Sequence, residues 1–169
     1  METIVNKVAE SDIEVFDLDA LWDGNSVVTF DIAPFLLEGI ILREKDFRTS
    51  MKELDWSEYE RKHVAITCSE DAIIPTWAYM LVASKLEHSA QSVGFGEPSE
   101  LVRDFYVRTL NMLDWSEYEN KIVVIKGCSS KTVPMNAYLM ATQKLQSVAR
   151  KIMYGEPCSS VPLWRKPKN

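Results

Sequence analysis

Leu54-Asp55-Trp56-Ser57-Glu58-Tyr59-Glu60 recurs unchanged as Leu113-Asp114-Trp115-Ser116-Glu117-Tyr118-Glu119, 59 positions further along the chain. The phase then holds. Lys62 matches Lys121, Val64 matches Val123, Ile66 matches Ile125 and Pro75 matches Pro134. Ala78-Tyr79 matches Ala137-Tyr138, Lys85-Leu86 matches Lys144-Leu145, and Gly96-Glu97-Pro98 matches Gly155-Glu156-Pro157. Seven consecutive identities followed by an in-phase series mark an internal duplication, with copies at 54–98 and 113–157. Two copies are too few for a solenoid, which needs about three or more repeats. The expectation is one pseudo-two-fold domain spanning residues 1–169.

Each copy opens on Asp-Trp-Ser-Glu-Tyr, too polar and short for a helix of its own. It is expected to form a single turn whose Trp56/Tyr59 and Trp115/Tyr118 act as structural wedges. His63–Thr67 and Ile122–Lys126 follow, and the second is a β-branched apolar run suited to a strand covered on both faces. After a polar loop, Pro75 and Pro134 sit where a helix begins, a position that tolerates the missing N–H. The spacing predicts helices over about 75–91 and 134–150. Trp77–Ala83 is apolar all round and is expected to be enclosed on several sides. In the second helix Ala137, Met140, Ala141, Leu145, Val148 and Ala149 are expected to face the core. Short strands at Val93–Phe95 and Ile152–Tyr154 then stop at Gly-Glu-Pro, because proline cannot donate to a ladder.

Strand, helix, strand makes a βαβ unit with parallel strands and a right-handed connection. Glu100–Leu113 reads as a helix linking the two units, and Glu44–Leu54 holds the corresponding place before the first. Val27–Ile32 reads as a strand after the Trp22-Asp23-Gly24-Asn25 turn, and Ile13–Phe16 as a shorter one. The fold class is α/β: three layers, with a mostly parallel sheet from two duplicated βαβ units and one or two N-terminal edge strands.

The chain has 169 residues, 46% of them apolar and 26% charged, the balance of a globular domain with a sizeable core. Its net charge of −6 argues against nucleic acid or anionic membranes as main partners. The basic end, Arg165-Lys166-Pro167-Lys168, reads as a solvated tail. No stretch approaches the ~20 apolar residues of a membrane span, and Met1-Glu2-Thr3 does not open a secretory leader. The expected location is cytoplasmic. Three cysteines, an odd number in a reducing compartment, disfavour a disulfide framework.

Those cysteines carry the most chemistry. Cys68 closes the first strand of copy one, and Cys128 closes its counterpart after an extra Gly127. Each is followed by serine, Ser69 or Ser129. Cys158 follows Gly155-Glu156-Pro157, where the first copy has Ser99. Ligands collect beyond the carboxyl ends of parallel strands at a topological switch point. If the two leading strands are neighbours, ~4.8 Å apart, Cys68 faces Cys128 and Cys158 joins them at one rim. Three thiolates suit zinc, at Zn–S ~2.3 Å, or an iron–sulfur cluster. Asp71, Glu97 or Glu156 could complete the shell. His63 opens a strand at the opposite edge, and His88 lies in a helix body.

Simple burial is the competing explanation, because free cysteine is among the most buried residue types. A third places single thiols near helix starts, where the dipole lowers a thiol pKa. There Ser69 and Ser129, with Ser130 and the helix-start N–H groups, would hold an anion. Pro75 and Pro134 each remove one such donor. The chain has no phosphate loop, nucleotide fingerprint or His–Cys–Asn set, so catalytic residues stay open.

Ile4-Val5-Asn6-Lys7-Val8-Ala9, Thr67-Cys68-Ser69 with Pro75-Thr76-Trp77-Ala78-Tyr79, Lys126-Gly127-Cys128-Ser129 and Gly155-Glu156-Pro157-Cys158-Ser159 resemble a bacterial family catalogued as domain of unknown function 2480. The resemblance spans nearly the whole chain and brings no assigned activity. It implies an accessory role beside iron–sulfur assembly proteins. Two main expectations result. In the first, Cys68, Cys128 and Cys158 bind zinc or an iron–sulfur species. In the second, the chain is a homodimeric interaction protein with packed cysteines and no metal. A thiol or sulfur-transfer enzyme is the remaining option.

Overall fold

The computed structural model describes residues 13–127 and 131–167. In chain order the elements are β1 (Ile13–Asp17), β2 (Val27–Asp31), α1 (Glu44–Glu53), β3 (His63–Thr67), α2 (Thr76–Leu86), β4 (Ser92–Phe95), α3 (Pro98–Met112), β5 (Ile122–Lys126), α4 (Met135–Gln146), β6 (Lys151–Glu156) and β7 (Ser159–Arg165). The chain divides into two compact units. A nested unit runs continuously from Gly24 to Asp104. A flanking unit combines the residues up to Asp23 with those from Phe105 onward.

The nested unit holds the parallel sheet β2-β3-β4. The flanking unit holds β1-β5-β6-β7, in which β1, β5 and β6 are parallel and β7 runs antiparallel to β6. The chain is therefore α/β and mostly parallel, with a βαβ crossover in each unit and an N-terminal strand at one edge of each sheet. The strands divide between two sheets, which corrects one assumption. β3 and β5 are each flanked on both sides by other strands, so they are not hydrogen-bonded neighbours. The ~4.8 Å spacing that would set Cys68 against Cys128 does not arise.

The reason for the split lies in two short matching strands. Val15-Phe16-Asp17-Leu18 and Thr29-Phe30-Asp31-Ile32 alternate in the same way, and each supplies the leading strand of one unit. Phe16 pairs in register with Ile125, and Phe30 with Ile66. The ladders are extended by Leu18 N–H donating to Lys126 C=O (2.8 Å) and Ile32 N–H to Thr67 C=O (2.9 Å). The repeated turn then docks on these phenylalanines. Trp56 and Tyr59 lie with ring centroids 5.6 and 5.8 Å from Phe30, and Trp115 and Tyr118 lie 5.0 and 5.6 Å from Phe16.

Each indole N–H also donates 3.1 Å back to the preceding helix, Trp56 to Met51 C=O and Trp115 to Leu110 C=O. Asp55 and Asp114 accept from the Ser57 and Ser116 amides at 3.0 Å, fixing both turns. The wedge reading of the repeat therefore holds. α1 in the nested unit corresponds to the latter part of α3 in the flanking unit, as the sequence spacing predicts.

The crossover helices end earlier than the periodicity suggests. Arg61 and Asn120 adopt left-handed backbone (φ 57° and 58°) and donate to Ser89 and Val148 carbonyls at 2.9 Å. Gln91 and Arg150 amides then turn back onto Lys62 and Lys121 carbonyls at 2.8 Å, leading into β4 and β6. Pro75 and Pro134 are extended residues just before the helices, not part of their first turns.

In the nested unit, Phe30, Val64 and Ile66 pack with Phe47 and Met51 of α1 and Ala78, Val82 and Leu86 of α2. A Cβ placed at Gly94 would meet the Leu101 side chain at 3.3 Å, so α3 lies close to this strand and leaves no room for a larger residue. In the flanking unit Tyr106 is fully buried, and its hydroxyl donates to Leu18 C=O at 3.1 Å. Burial, with the negative charge of Asp19 nearby, pushes its phenol up to about 12.

Two expectations need correction. The segment Trp77–Ala83 is not enclosed, because Met80 is 66% exposed. Gly155-Glu156-Pro157 does not end the sheet either: it turns β6 into β7, and Arg165 is a strand residue instead of part of a free tail. β7 carries Pro162 and is an edge strand, a place in a sheet that tolerates it. Among the described residues no helix is long and apolar enough to cross a membrane.

Candidate functional site

The flanking unit holds an apolar groove of about 550 Å³ between α4, the ends of β5 and β6, and β7. Ile125 and Tyr154 are its sheet residues, α4 contributes Met135, Tyr138, Leu139 and Thr142, and Leu163 of β7 completes it. Tyr138 and Tyr154 meet edge to face, with centroids 5.9 Å apart and planes at 79°. The groove's volume is within the roughly 300–1,000 Å³ typical of ligand clefts.

Its polar atoms are occupied by the framework. The Tyr138 hydroxyl donates to the Gly127 carbonyl. Thr142 Oγ1 donates to the Tyr138 carbonyl at 2.8 Å. The inserted glycine has a steric cause, since a Cβ at Gly127 would lie 2.8 Å from the Tyr138 hydroxyl and 3.1 Å from Leu18. Among the described residues no charged side chain lines the groove, and Lys126 and Glu156 near the strand ends pair with each other at 3.4 Å. The rim is apolar and open: Met135 is 72% exposed, Leu139 58% and Leu163 49%.

The nested unit contains the same cleft in reduced form. Ile66, Tyr79, Met80, Ala83, Val93, Gly94 and Phe95 line about 270 Å³. Ile66, Tyr79, Met80 and Phe95 stand 59 positions before Ile125, Tyr138, Leu139 and Tyr154. Tyr79 and Phe95 repeat the edge-to-face contact at 5.1 Å and 84°. The flanking copy is larger because β7 adds a wall that the nested sheet lacks. The sequence held one signal of this groove, the apolar residue at matching positions Met80 and Leu139 on the side of each helix away from its buried alanines.

Cys68 is half-buried immediately after β3 and packs against the nested core. Burial and the adjacent Cys68 push the Tyr79 phenol up. Ser69 directs both its donors to Asp31: its N–H at 3.0 Å and its hydroxyl at 2.6 Å. Asp31 also accepts from the Ala33 N–H at 2.9 Å. Burial raises the Asp31 carboxyl, but the Ser69 hydroxyl and the Ala33 and Ser69 amides outweigh it and hold the group below its usual range. Ser69 thus faces a carboxylate with both donors committed, an arrangement that repels a further anion.

Cys158 is exposed in the turn between β6 and β7. Cys128, Ser129 and Ser130 lie outside the described residues. Cys68 belongs to the nested unit and Cys158 to the flanking one. Among the described residues no three His, Cys, Asp or Glu side chains are grouped to hold a metal ion. Of the possible fourth ligands, Glu156 pairs with Lys126. His63 is buried at the start of β3, with Nδ1 2.7 Å from Ser92 Oγ.

Comparison with known proteins adds one match. A family model described as "Protein of unknown function (DUF2480)" matches residues 2–166. No curated protein and no solved structure matches the chain.

Proposed function

The chain belongs to the DUF2480 family of proteins of unknown function, and from that premise we propose that it is an interaction protein that pairs with a second copy of itself through the flanking unit's groove. The observation that carries this reading is the groove's shape. One surface holds both an apolar hollow, lined by Ile125 and Tyr154, and projecting apolar side chains, Met135, Leu139 and Leu163. A two-fold contact sets the same patch against itself, so it needs knobs and a hole side by side. Among the described residues the lining carries no charge, which lets two copies of a chain with net charge −6 approach there without direct repulsion. Burying each half-exposed rim side chain contributes about 1 kcal/mol.

Sedimentation or light scattering gives the test. The wild-type chain is expected to be a dimer at micromolar concentration, and Leu139→Glu a folded monomer. A wild-type chain that stays monomeric at about 100 µM, where even a weak specific contact would populate the dimer, overturns the proposal.

Metal binding is a second, separate reading. It is supported by the positions of Cys68, the residue after β3, and of Cys158, two residues beyond β6, each following the carboxyl end of a parallel strand. If a metal is part of the native protein, anaerobically purified chain carries zinc or iron in fixed ratio, and Cys68→Ser/Cys128→Ser/Cys158→Ser carries none. Metal-free wild type that is folded removes this reading and leaves the dimer untouched.

A further inference from the structure

At the end of the flanking sheet where β5 and β6 begin, Arg150, Lys151 and Arg165 surround a second concavity of about 240 Å³, with Ile122 as its apolar residue. Lys151 and Arg165 are direct cross-strand partners in the β6–β7 ladder. Directly opposed like charges destabilise a sheet, and among the described residues neither side chain has a carboxylate partner. The Lys166 amide donates to the Arg150 carbonyl at 2.9 Å, which ties the end of β7 to the start of β6 and holds the cations together.

The duplication supplies an internal control. In the nested unit the positions of Ile122, Arg150 and Lys151 are His63, Gln91 and Ser92, without the charge. There the buried imidazole and the serine hydroxyl satisfy each other at 2.7 Å, and no strand corresponds to β7. The framework therefore does not require cations at this edge. They stand in a chain with net charge −6, so the local field opposes the overall one and favours one small anion over a long polyanion.

We propose that Arg150, Lys151 and Arg165 form a binding site for a compact phosphate-bearing ligand. The Arg165 guanidinium offers a planar fork that binds phosphate oxygens in pairs, Lys151 adds a movable point charge, and Arg150 adds positive charge beside them. The hollow is below the roughly 300–1,000 Å³ of clefts that take drug-sized ligands, which suits a phosphate or diphosphate group with little attached. The site is distinct from the apolar groove, and its test is independent of dimerisation.

Calorimetric titration of the full chain with inorganic pyrophosphate at low salt is the experiment. Saturable one-site binding that weakens as salt rises is expected. Lys151→Thr/Arg165→Gln keeps strand-compatible residues and is expected to bind about tenfold more weakly or worse, the scale of losing one or more charge-assisted bonds. Lys151→Arg, which keeps the charge, is expected to bind within a few-fold of wild type. Thermal unfolding of each variant confirms an intact fold. Absence of saturation by about 10 mM pyrophosphate, at which any contact stronger than ~3 kcal/mol would show, overturns the proposal. So does equal binding by the double variant, or binding of oligonucleotides or anionic vesicles without pyrophosphate.

Discussion

The nested and flanking units repeat their lead-in almost bond for bond and then diverge at the far side of the crossover helix. Trp56 and Trp115 make the same 3.1 Å bond to the preceding helix, and Asp55 and Asp114 cap their turns at the same 3.0 Å. The clefts beyond them differ about twofold, roughly 550 against 270 Å³. The difference shows where sequence freedom lies in a duplicated βαβ framework. A tryptophan wedged on a buried phenylalanine must satisfy ring packing and an N–H bond together, so few changes are compatible with it. A cleft rim meets only solvent, and β7 could be added there without disturbing the core.

The strongest test of that equivalence is truncation of the two phenylalanines. Phe30 is 2% exposed and Phe16 4%. Phe30→Ala and Phe16→Ala are each expected to cost about 3–5 kcal/mol in denaturant unfolding, the usual loss for a buried aromatic. A loss below about 1 kcal/mol for one of them, far under that range, would break the comparison at its base.

A second test sharpens the divergence. Leu139→Glu and Met80→Glu place the same charge at matching positions, 58% and 66% exposed. Only Leu139→Glu is expected to weaken self-association, by a factor of about ten or more, the equivalent of some 1.4 kcal/mol. Equal effects would mean that β7 does not distinguish the two clefts.

Much of this was legible in the sequence because duplication reports register. The 59-residue phase located the strands, the crossover helices, the wedge turns and the linking helix. It could not reveal which leading strand joins which copy, because Phe16-Asp17-Leu18 and Phe30-Asp31-Ile32 are nearly the same string and local pattern does not encode partner choice. Two sheets therefore replaced the expected neighbours β3 and β5. β7 was missed for another reason. Pro162 and the Gly-Glu-Pro turn both signal a strand's end, and an edge strand is the exception. With β7 unseen, neither the groove nor the partnering of Arg165 with Lys151 could be foreseen. The position of Cys68 at the end of β3 was legible, but the hydrogen bonds of Ser69 to Asp31 were not, since they join residues 38 apart.

The wedge itself offers a smaller comparison. Trp56→Phe and Trp115→Phe keep an aromatic ring, smaller than the indole, and remove the N–H, leaving the Met51 or Leu110 carbonyl without that donor. Each is expected to lose about 1–2 kcal/mol of stability. A clear difference between them would show that one copy bears more of the load.

The smallest expected effect concerns the carboxylate staple that joins β2 to the residue after Cys68. The folded chain holds the Asp31 carboxyl below 3.8, the ordinary value of an unperturbed aspartate and the reference for the unfolded chain. A lowered folded pKa means that the ionised group contributes stability above about 3.8 and loses it as pH falls through the lower, folded value. The carboxylate is accessible enough for water to screen it, so the contribution is below about 1 kcal/mol. Asp31→Asn should therefore lie slightly below wild type in Tm at neutral pH, and the gap should close as pH drops past the carboxylate range. Melting curves at pH 7, 5 and about 3 check this, with the window set by the lowered Asp31 value. A gap that stays constant over that range would show that Ser69 is held by hydrogen-bond geometry alone and that the charge on Asp31 contributes nothing to joining the two strands.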